Sequence, residues 1–220
     1  MIEKGVLFNK IHSFYDLDLI LSAAQISAAA PKETYVDIPG ADVSLDFTEA
    51  LGEVKYNDRT INLVFAMNPN GNLSADAWEW KKTEVCNALN GLACRITFDT
   101  DREYYWSGRC KVDDHASNKK VRMFSVTARV RPYKLKQAET SVSFTLASTA
   151  QTVSVMNGRK SVCPTITCSK ANAKVVFNGA TYTLSEGSHQ YIDIRLVEGE
   201  NKFTISGSGT IAFTYQEGDL

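Results

Sequence analysis

The feature that most constrains this chain is an alternation of apolar and polar residues that repeats every two positions along most of its 220 residues. A period of two is typical of a β-strand, because successive side chains point to opposite faces of a sheet. The alternating segments are rich in β-branched and aromatic residues, which favour strands. In the first half they cover 35–38, 60–66, 94–98, 104–112 and 121–130. The pattern therefore predicts a mainly β protein.

One segment of the first half has helical periodicity instead. Ser74 is a suitable N-cap, and a packing face then recurs at helical spacing, formed by Trp78, Lys81, Val85, Ala88 and Leu89. Gly91 can adopt the left-handed conformation that often follows the last turn of a helix. The sequence predicts one helix from Ser74 to about residue 90, with one face packed against the strands.

The sequence pattern changes around residues 131–138, where a proline and several charged residues interrupt the alternation of the strands. Helix-forming patterns do not occur after this segment. This change predicts an N-terminal domain at 1–136 and a C-terminal domain at 137–220. Strand candidates in the second domain cover 142–146, 151–156, 163–168, 174–178, 180–184, 190–196, 202–206 and 210–215. Asn178-Gly179 is typical of a two-residue hairpin turn, and residues 198–201 suggest another. We expect a small all-β sandwich or jelly roll.

The composition excludes several classes of protein. With 44% hydrophobic and 22% charged residues, the chain is an ordinary globular sequence. It has no membrane-spanning apolar run, and its start lacks the pattern of a secretory signal. The net charge of −1 argues against sequence-independent binding to nucleic acid or to a membrane. Five cysteines without a CxxC pair indicate buried free thiols in a reducing cytoplasm.

No set of residues predicts catalysis or a cofactor. The histidines are His12, His115 and His189, and none stands in a recognisable nucleophilic or phosphate-binding motif. The acidic run from Asp99 to Glu103 resembles the start of a calcium loop, but Tyr104 stands where that loop needs glycine. We expect a tight turn with solvated acidic residues there. Residues 113–115 lie between strand candidates, so we assign no metal.

A sugar site in the second domain is an open alternative. β-Sandwich lectins usually stack a sugar on an exposed aromatic ring, and the three tryptophans all precede the boundary. Tyr191 has the opposite parity to Ile192, Ile194 and Leu196, so it is expected to face outward. Tyr191 is therefore the candidate sugar contact, although the sequence around it has no further sugar-site signature.

A series of phrases in the first half resembles a known family. In order, they are GVLFN at 5–9, HSFYDL at 12–17, VDIPGAD at 36–42, LDFTEALG at 45–52, YNDR at 56–59, NALNG at 87–91 and YYWSGR at 104–109. Together they resemble the distal tail protein of long, flexible-tailed phages and prophages, especially those of Gram-positive hosts. The resemblance spans residues 5 to 135, and the ordered series is more specific than any one phrase.

The resemblance implies an N-terminal β-sandwich or split barrel with one α-helix, and a C-terminal galectin-like β-sandwich. It also implies a virion structural protein without enzymatic activity, synthesised in the host cytoplasm and located at the tail tip. Six copies would form a ring that joins the tail tube to the tip or baseplate while DNA passes through. The implied partners are other copies of the chain, the tail tube protein, the tape-measure protein and the tail-tip protein.

Three residues in the resembling phrases are candidates for the interface between copies. His12 and Tyr15 lie in the first irregular phrase, and Asp42 follows the Pro39-Gly40 turn. Turn chemistry that fixes strand register explains these phrases equally well. Larger members of the family carry arms that attach receptor-binding proteins, whereas 220 residues leave room for two compact domains and little else, so we do not expect this chain to attach a receptor-binding protein. Because the second domain has no sugar-site signature, we expect it to dock a partner or fill space, with a carbohydrate-binding adhesin as the alternative function.

Overall fold

The computed structural model describes residues 5–50, 52–68, 74–113 and 122–220. The chain divides into two units, Met1–Pro132 and Tyr133–Leu220. The sequence analysis set this boundary between residues 136 and 137. The strand Lys134–Lys136 pairs with residues 218 and 219, and this pairing joins the segment to the second unit.

The described residues of the first unit form one long antiparallel sheet, one helix and a separate hairpin. Its strands are β1 (Val6–Phe8), β2 (Ile11–His12), β3 (Leu19–Ile26), β4 (Tyr35–Val36), β5 (Leu45–Asp46), β6 (Arg59–Met67), β7 (Ala93–Phe98), β8 (Asp101–Asp113) and β9 (Met123–Val130), and its helix is α1 (Ala75–Leu89). The sheet runs in the order β2-β1-β7-β8-β9-β6-β3. A short turn at 13–18 connects β2 and β3, the two ends of this path. There the Leu19 amide donates to the Ser13 carbonyl oxygen over 2.8 Å.

The helix forms where the sequence provides its caps. The Ser74 hydroxyl accepts a hydrogen bond from the Ala77 amide over 3.2 Å, and Gly91 follows the helix with φ +78°. The buried side chains of α1 are those of Trp78, Val85 and Leu89, as the periodicity predicts. They pack in the core of the first unit, where the Trp78 and Phe124 rings lie 4.6 Å apart. Helix and sheet thus share one core.

The second unit is a β-sandwich. Its strands are β10 (Lys134–Lys136), β11 (Thr140–Thr145), β12 (Gln151–Asn157), β13 (Thr165–Cys168), β14 (Ala173–Phe177), β15 (Ala180–Leu184), β16 (Gly187–Gln190), β17 (Gly199–Ser206), β18 (Thr210–Tyr215) and β19 (Gly218–Asp219). Two four-stranded sheets, β11-β18-β13-β16 and β12-β17-β14-β15, enclose its core. Phe203 from one sheet and Phe213 from the other meet there with ring centroids 4.8 Å apart.

The predicted fold class is confirmed: the protein is mainly β, with one helix in the described residues of the first unit and a sandwich in the second. The turn at Asn178 and Gly179 is also confirmed, since both residues have positive φ, 47° and 81°. The strand predicted at 190–196 is wrong. The strand there is β16, which ends at Gln190; residues 192 and 193 form a turn, and Leu196 forms an isolated bridge with Val162.

Several expectations about single residues need correction. The parity argument placed Ile192 inside, yet it is 84% exposed, while Ile194 and Leu196 are fully buried. Asp99 was expected to be solvated, but its side chain is only 11% exposed. All five cysteines are free; Cys94, Cys110 and Cys168 are buried as expected, whereas Cys86 is exposed and Cys163 is half-buried. Asp114 and His115 lie outside the described residues.

No helix in the described part of the chain combines the length and the apolar character needed to cross a membrane.

Candidate interaction surfaces

Both ring nitrogens of His12 form hydrogen bonds inside the first unit. Its Nδ1 atom accepts hydrogen bonds from the backbone amides of Phe14 and Tyr15, at 3.1 and 3.3 Å. Nε2 therefore carries the proton and donates to Asp99 Oδ2 over 3.0 Å. Asp99 lies in the turn between β7 and β8, so this bond ties the end of β2 to that turn, across the intervening strand β1.

Asp99 collects further donors. The Gly5 amide donates to its Oδ2 over 2.9 Å, and the Arg102 guanidinium donates to Oδ1 over 2.8 Å. Burial raises the pKa of the Asp99 carboxyl, but the hydrogen bonds from His12, Gly5 and Arg102 outweigh burial and hold the pKa below its usual value. The site is a fixed structural network. A Cβ atom at Gly5 would lie 2.4 Å from the His12 ring, so this packing requires glycine.

Tyr15 is the part of this turn that faces solvent. Its ring lies 4.5 Å from the His12 ring, and the residue is 73% exposed. Of the two interface candidates in this phrase, Tyr15 can contact another molecule directly, while His12 can only hold Tyr15 in place. Their assignment to an interface remains a prediction.

A hairpin between β3 and β6 presents a second surface. It is closed at its base by a bridge between Pro31 and Tyr56, and β4 pairs with β5 further along. Six of its large apolar side chains are between 42% and 74% exposed: Tyr35, Val36, Ile38, Val43, Leu45 and Phe47. Among the described residues that form or flank the core of the first unit, none comes from this hairpin.

Both faces of the hairpin are uncovered. Tyr35 and Val36 are neighbours on β4, so their side chains point to opposite faces, and both are exposed. An isolated two-stranded hairpin is marginally stable in water. The backbone adds local order, since the Phe47 amide donates to the Thr34 carbonyl over 2.8 Å. Such an apolar surface is typical of an interaction site.

The hairpin is also acidic. Between residues 31 and 57 it carries six carboxylates, from Glu33, Asp37, Asp42, Asp46, Glu49 and Glu53, against Lys32 and Lys55. Asp42, the third interface candidate, is exposed and follows the turn at Gly40, where φ is +84°. The carboxylates of Asp46 and Glu33 raise the pKa of the neighbouring Tyr35. The surface therefore combines apolar side chains with negative charge.

A third surface is a groove of about 960 Å³ on the first unit, and residues of β7, β8 and β9 form one of its walls. Cations from these strands and the segment after β9 line it: Arg95, Arg109, Lys111, Arg129 and Arg131. Among the described residues, the acidic side chain in the lining is that of Asp58, which pairs with Arg129 over 2.8 Å. The groove is thus strongly basic in a chain of nearly neutral charge.

Two thiols lie beneath the strands that line this groove, on the core side of the sheet. The sulfur atoms of Cys94 on β7 and Cys110 on β8 are 3.4 Å apart, and both residues are buried. The hydrogen bond that they share raises the pKa of Cys110, and burial raises it further. Cys110 therefore stays protonated and acts as a small apolar residue in the core.

The candidate sugar contact lies in an aromatic cluster of the second unit. Tyr191 is half-buried against the core, 4.9 Å from the Tyr182 ring and 6.3 Å from the His189 ring. The His189 Nε2 atom lies 2.9 Å from the Ser185 carbonyl oxygen. The Tyr191 side chain is thus only partly exposed to solvent. The strand alternation had predicted that it would face fully outward.

In the part of the chain that the structure describes, no group of three or more His, Cys, Asp or Glu side chains is placed to hold a metal ion. The basic groove is the surface that sequence reasoning missed. Arg109 and Lys111 share one parity, as do Arg129 and Arg131, and this pattern was a signal that both segments are basic on one face.

The fold of the described residues, a sheet with one helix and an exposed hairpin in the first unit and a sandwich of two four-stranded sheets in the second, is that of a solved phage tail protein. One solved structure with this fold is that of the Dit protein (gp 19.1) of phage SPP1, described as a paradigm of the hub adsorption apparatus in phages that infect Gram-positive bacteria. It matches with a TM-score of 0.71 over 99% of each chain, at 12% sequence identity. Identity this low establishes the fold alone. No family model and no curated protein matches the sequence.

Proposed function

We propose that the protein is a distal tail hub of a long-tailed phage or prophage, a structural component of the virion without enzymatic activity. Its copies close into a hexameric ring that joins the tail tube to the tail tip and lets DNA pass. Two independent likenesses support this function: the fold of SPP1 Dit over 99% of the chain, and the ordered phrases of residues 5 to 135.

The exposed hairpin at 31–57 is the observation that carries the proposal. A surface with six exposed apolar side chains on both faces of a marginal hairpin needs a partner that covers it. In a cyclic ring, each subunit uses two different patches, one to reach its neighbour and one to receive the other neighbour. A hairpin exposed on every copy supplies the reaching patch of such an assembly.

The remaining partners follow from the position of a hub. A ring at the end of a tail contacts the tail tube protein on one side and the tail-tip protein on the other, with the tape-measure protein passing near its centre. The near-neutral charge suits a channel for DNA, because a strongly basic lumen would bind phosphates instead of letting them slide. The free cysteines agree with synthesis in a reducing cytoplasm.

Negative-stain electron microscopy and sedimentation velocity of the full chain test the ring. We expect particles with six-fold symmetry, alone or after the tail tube and tail-tip proteins are added. A protein that stays monomeric at every concentration, also with both partners present, would show that it is not a ring-forming hub.

A second candidate function is carbohydrate binding through the second unit, and the cluster of Tyr182, His189 and Tyr191 favours it. Partly exposed aromatic rings can stack on the apolar face of a sugar. A glycan array with the full chain tests this function, with Tyr191→Ala as the variant and Thr152→Ala, exposed on β12, as the control. Binding that Tyr191→Ala abolishes, at unchanged stability of the second unit, would support it. An array without bound glycans would exclude it for the sugars tested.

A further inference from the structure

The basic groove holds more positive than negative charge. Two of its five cations have acidic partners in the same unit, since Lys111 pairs with Asp113 over 2.5 Å and Arg129 pairs with Asp58. Arg109 on β8 lies directly opposite Arg129 on β9 in the antiparallel ladder. Directly opposed like charges destabilise a sheet. Asp58 pairs with Arg129, and Arg109 donates to the Gly91 carbonyl oxygen, which is uncharged. Such an arrangement is stabilised when an anionic molecule binds in the groove.

The cations face solvent. The Arg129 side chain is 81% exposed and that of Lys111 is 74% exposed. Their neighbours Cys94, Cys110 and Val130 point to the opposite face of the sheet and into the core. The groove therefore has an apolar core beneath it and a charged outer wall that is open to a partner.

The hairpin at 31–57 has the complementary character. Its six carboxylates against two lysines give a net charge of −4, while five cations against Asp58 and against Asp113, the ion-pair partner of Lys111, give the groove +3. The two surfaces therefore carry opposite net charges. Complementary charge favours encounter and fixes the register of an interface, and the exposed apolar side chains provide the buried area.

We infer that the basic groove is the receptor for the hairpin of a neighbouring copy, an assignment that rests on the proposed ring. The carboxylates of Asp42 and its neighbours on the hairpin meet Arg109 and Arg129, while side chains such as Phe47 are covered at the rim. Hairpin and groove are different patches, so the contact is heterologous and can close into a ring. The groove is thus the surface of each subunit that receives the hairpin of its neighbour.

Docking occurs between copies and not within one chain. The residues that line the groove are residue 9, residue 58 and others between 90 and 131, and none of the described ones comes from 31–57. In the single chain the hairpin thus leaves the groove open. Nine residues separate Pro31 at the base from Gly40 at the turn, roughly 30 Å when extended, which is enough to reach an adjacent subunit.

Charge reversal in the full chain tests the receptor. We expect Arg109→Glu with Arg129→Glu to abolish the ring at concentrations where the wild type is fully assembled. The matched control is Lys170→Glu with Lys174→Glu, two exposed lysines of the second unit, which should leave the ring intact. Thermal unfolding monitors the fold of each variant. Adding Asp42→Arg and Glu49→Arg to the groove variant restores opposite charges and should restore the ring.

A mixing experiment then distinguishes this contact from other modes. The groove variant keeps a functional hairpin, while Val43→Ser with Phe47→Ser keeps a functional groove. Each is expected to be monomeric alone. Mixed together, they should form a 1:1 heterodimer that grows no further, because the complex retains no second matching pair of patches. Mass photometry or sedimentation velocity measures its size.

The outcomes separate the inference from the proposed function. A ring that persists in the Arg109→Glu, Arg129→Glu variant but is lost in the hairpin variant would overturn the groove as receptor and leave the hub intact. A mixture that stays monomeric, or charge-swapped variants that fail to restore the ring, would also overturn it. A wild-type chain that forms no ring under any condition would overturn both.

Discussion

The sandwich of the second unit and the hairpin of the first unit use similar residues in opposite ways. In the sandwich, alternate apolar residues such as Val175, Phe203 and Phe213 are buried between two sheets. In the hairpin, residues such as Val43 and Phe47 are exposed although they are equally apolar. The difference is the covering layer, because the sandwich provides a second sheet within the chain and the hairpin has none. Apolar side chains are therefore buried in the sandwich and exposed in the hairpin, where the proposed ring would cover them.

The comparison predicts that the same type of truncation has different consequences in the two regions. A side chain enclosed between sheets contributes to folding, while one that is covered only in an assembly contributes to association. Substitutions that separate folding from association test this distinction, and their expected effects on the free energy of unfolding decrease from the sandwich to the hairpin.

The largest effect is expected for Phe203→Ala. This ring is fully buried, stacks on Phe177 at 4.6 Å and contacts Phe213 across the sandwich. Its removal leaves a cavity, so the second unit should lose about 3–5 kcal/mol in its free energy of unfolding, measured by chemical denaturation. Thr152→Ala in the same sheet is the exposed control and should change stability by less than about 0.5 kcal/mol. A loss below about 1 kcal/mol for Phe203→Ala would mean that the sandwich core repacks freely.

A smaller loss is expected for Asp99→Asn in the turn that joins β7 and β8. The variant keeps the shape of the side chain but removes the charge that accepts bonds from His12, Gly5 and Arg102. Hydrogen bonds to charged groups contribute about 1.5–3 kcal/mol. We expect a loss in this range at pH 7, measured by denaturant unfolding.

The pH dependence gives this prediction a second readout. The pKa of Asp99 is lower in the folded protein than the value of about 3.9 in an unfolded chain. The carboxylate therefore stabilises the fold fully above about pH 4, and this contribution is lost as the pH falls through the folded-state pKa. The stability difference between wild type and Asp99→Asn should shrink in acid. A difference that stays constant down to pH 2 would contradict the assigned network.

The sequence was most informative where local signals decide the structure. Helix α1 begins and ends at its predicted caps, and the Asn178-Gly179 turn adopts the backbone that its residues favour. The sequence analysis did not identify β3, because Leu19–Ile26 contains Ser, Ala and Gln in place of alternating apolar residues. This strand forms through its pairing with β6, across a register shift between Leu21 and Ala23. Nonlocal pairing of this kind leaves little trace in the sequence.

The interaction surfaces depend even more on topology. Arg95, Arg109 and Arg129 are distant in sequence, and they face one groove only because β7, β8 and β9 are neighbours in the sheet. The exposure of the hairpin was equally hidden, since Tyr35, Val36 and Ile38 are as apolar as the residues of a buried strand. Asp42 and Tyr15 could be selected from their phrases, but the buried position of His12 required the Asp99 contact from a turn 87 residues away.

The smallest effect on the folded monomer is expected for Phe47→Ser in the hairpin, and here the comparison is sharpest. Phe47 is 45% exposed and lies outside the described core of the first unit, so its truncation removes no enclosed packing. The free energy of unfolding, measured at a dilution where the chain is monomeric, should change by less than about 0.5 kcal/mol.

The same variant should lose assembly, because the side chain is covered only by another copy. Thr48→Ala is unsuitable as a control, because the Thr48 hydroxyl accepts a hydrogen bond from the Thr34 amide. The control is therefore Lys174→Ala, a change at an exposed residue of the second unit. Unfolding and sedimentation velocity on the same samples separate the two readouts. If Phe47→Ser destabilised the monomer by as much as Phe203→Ala destabilises the sandwich, the hairpin would belong to the folding core and its apolar face would not mark an interface. Unchanged stability together with a lost ring would assign this side chain to association alone.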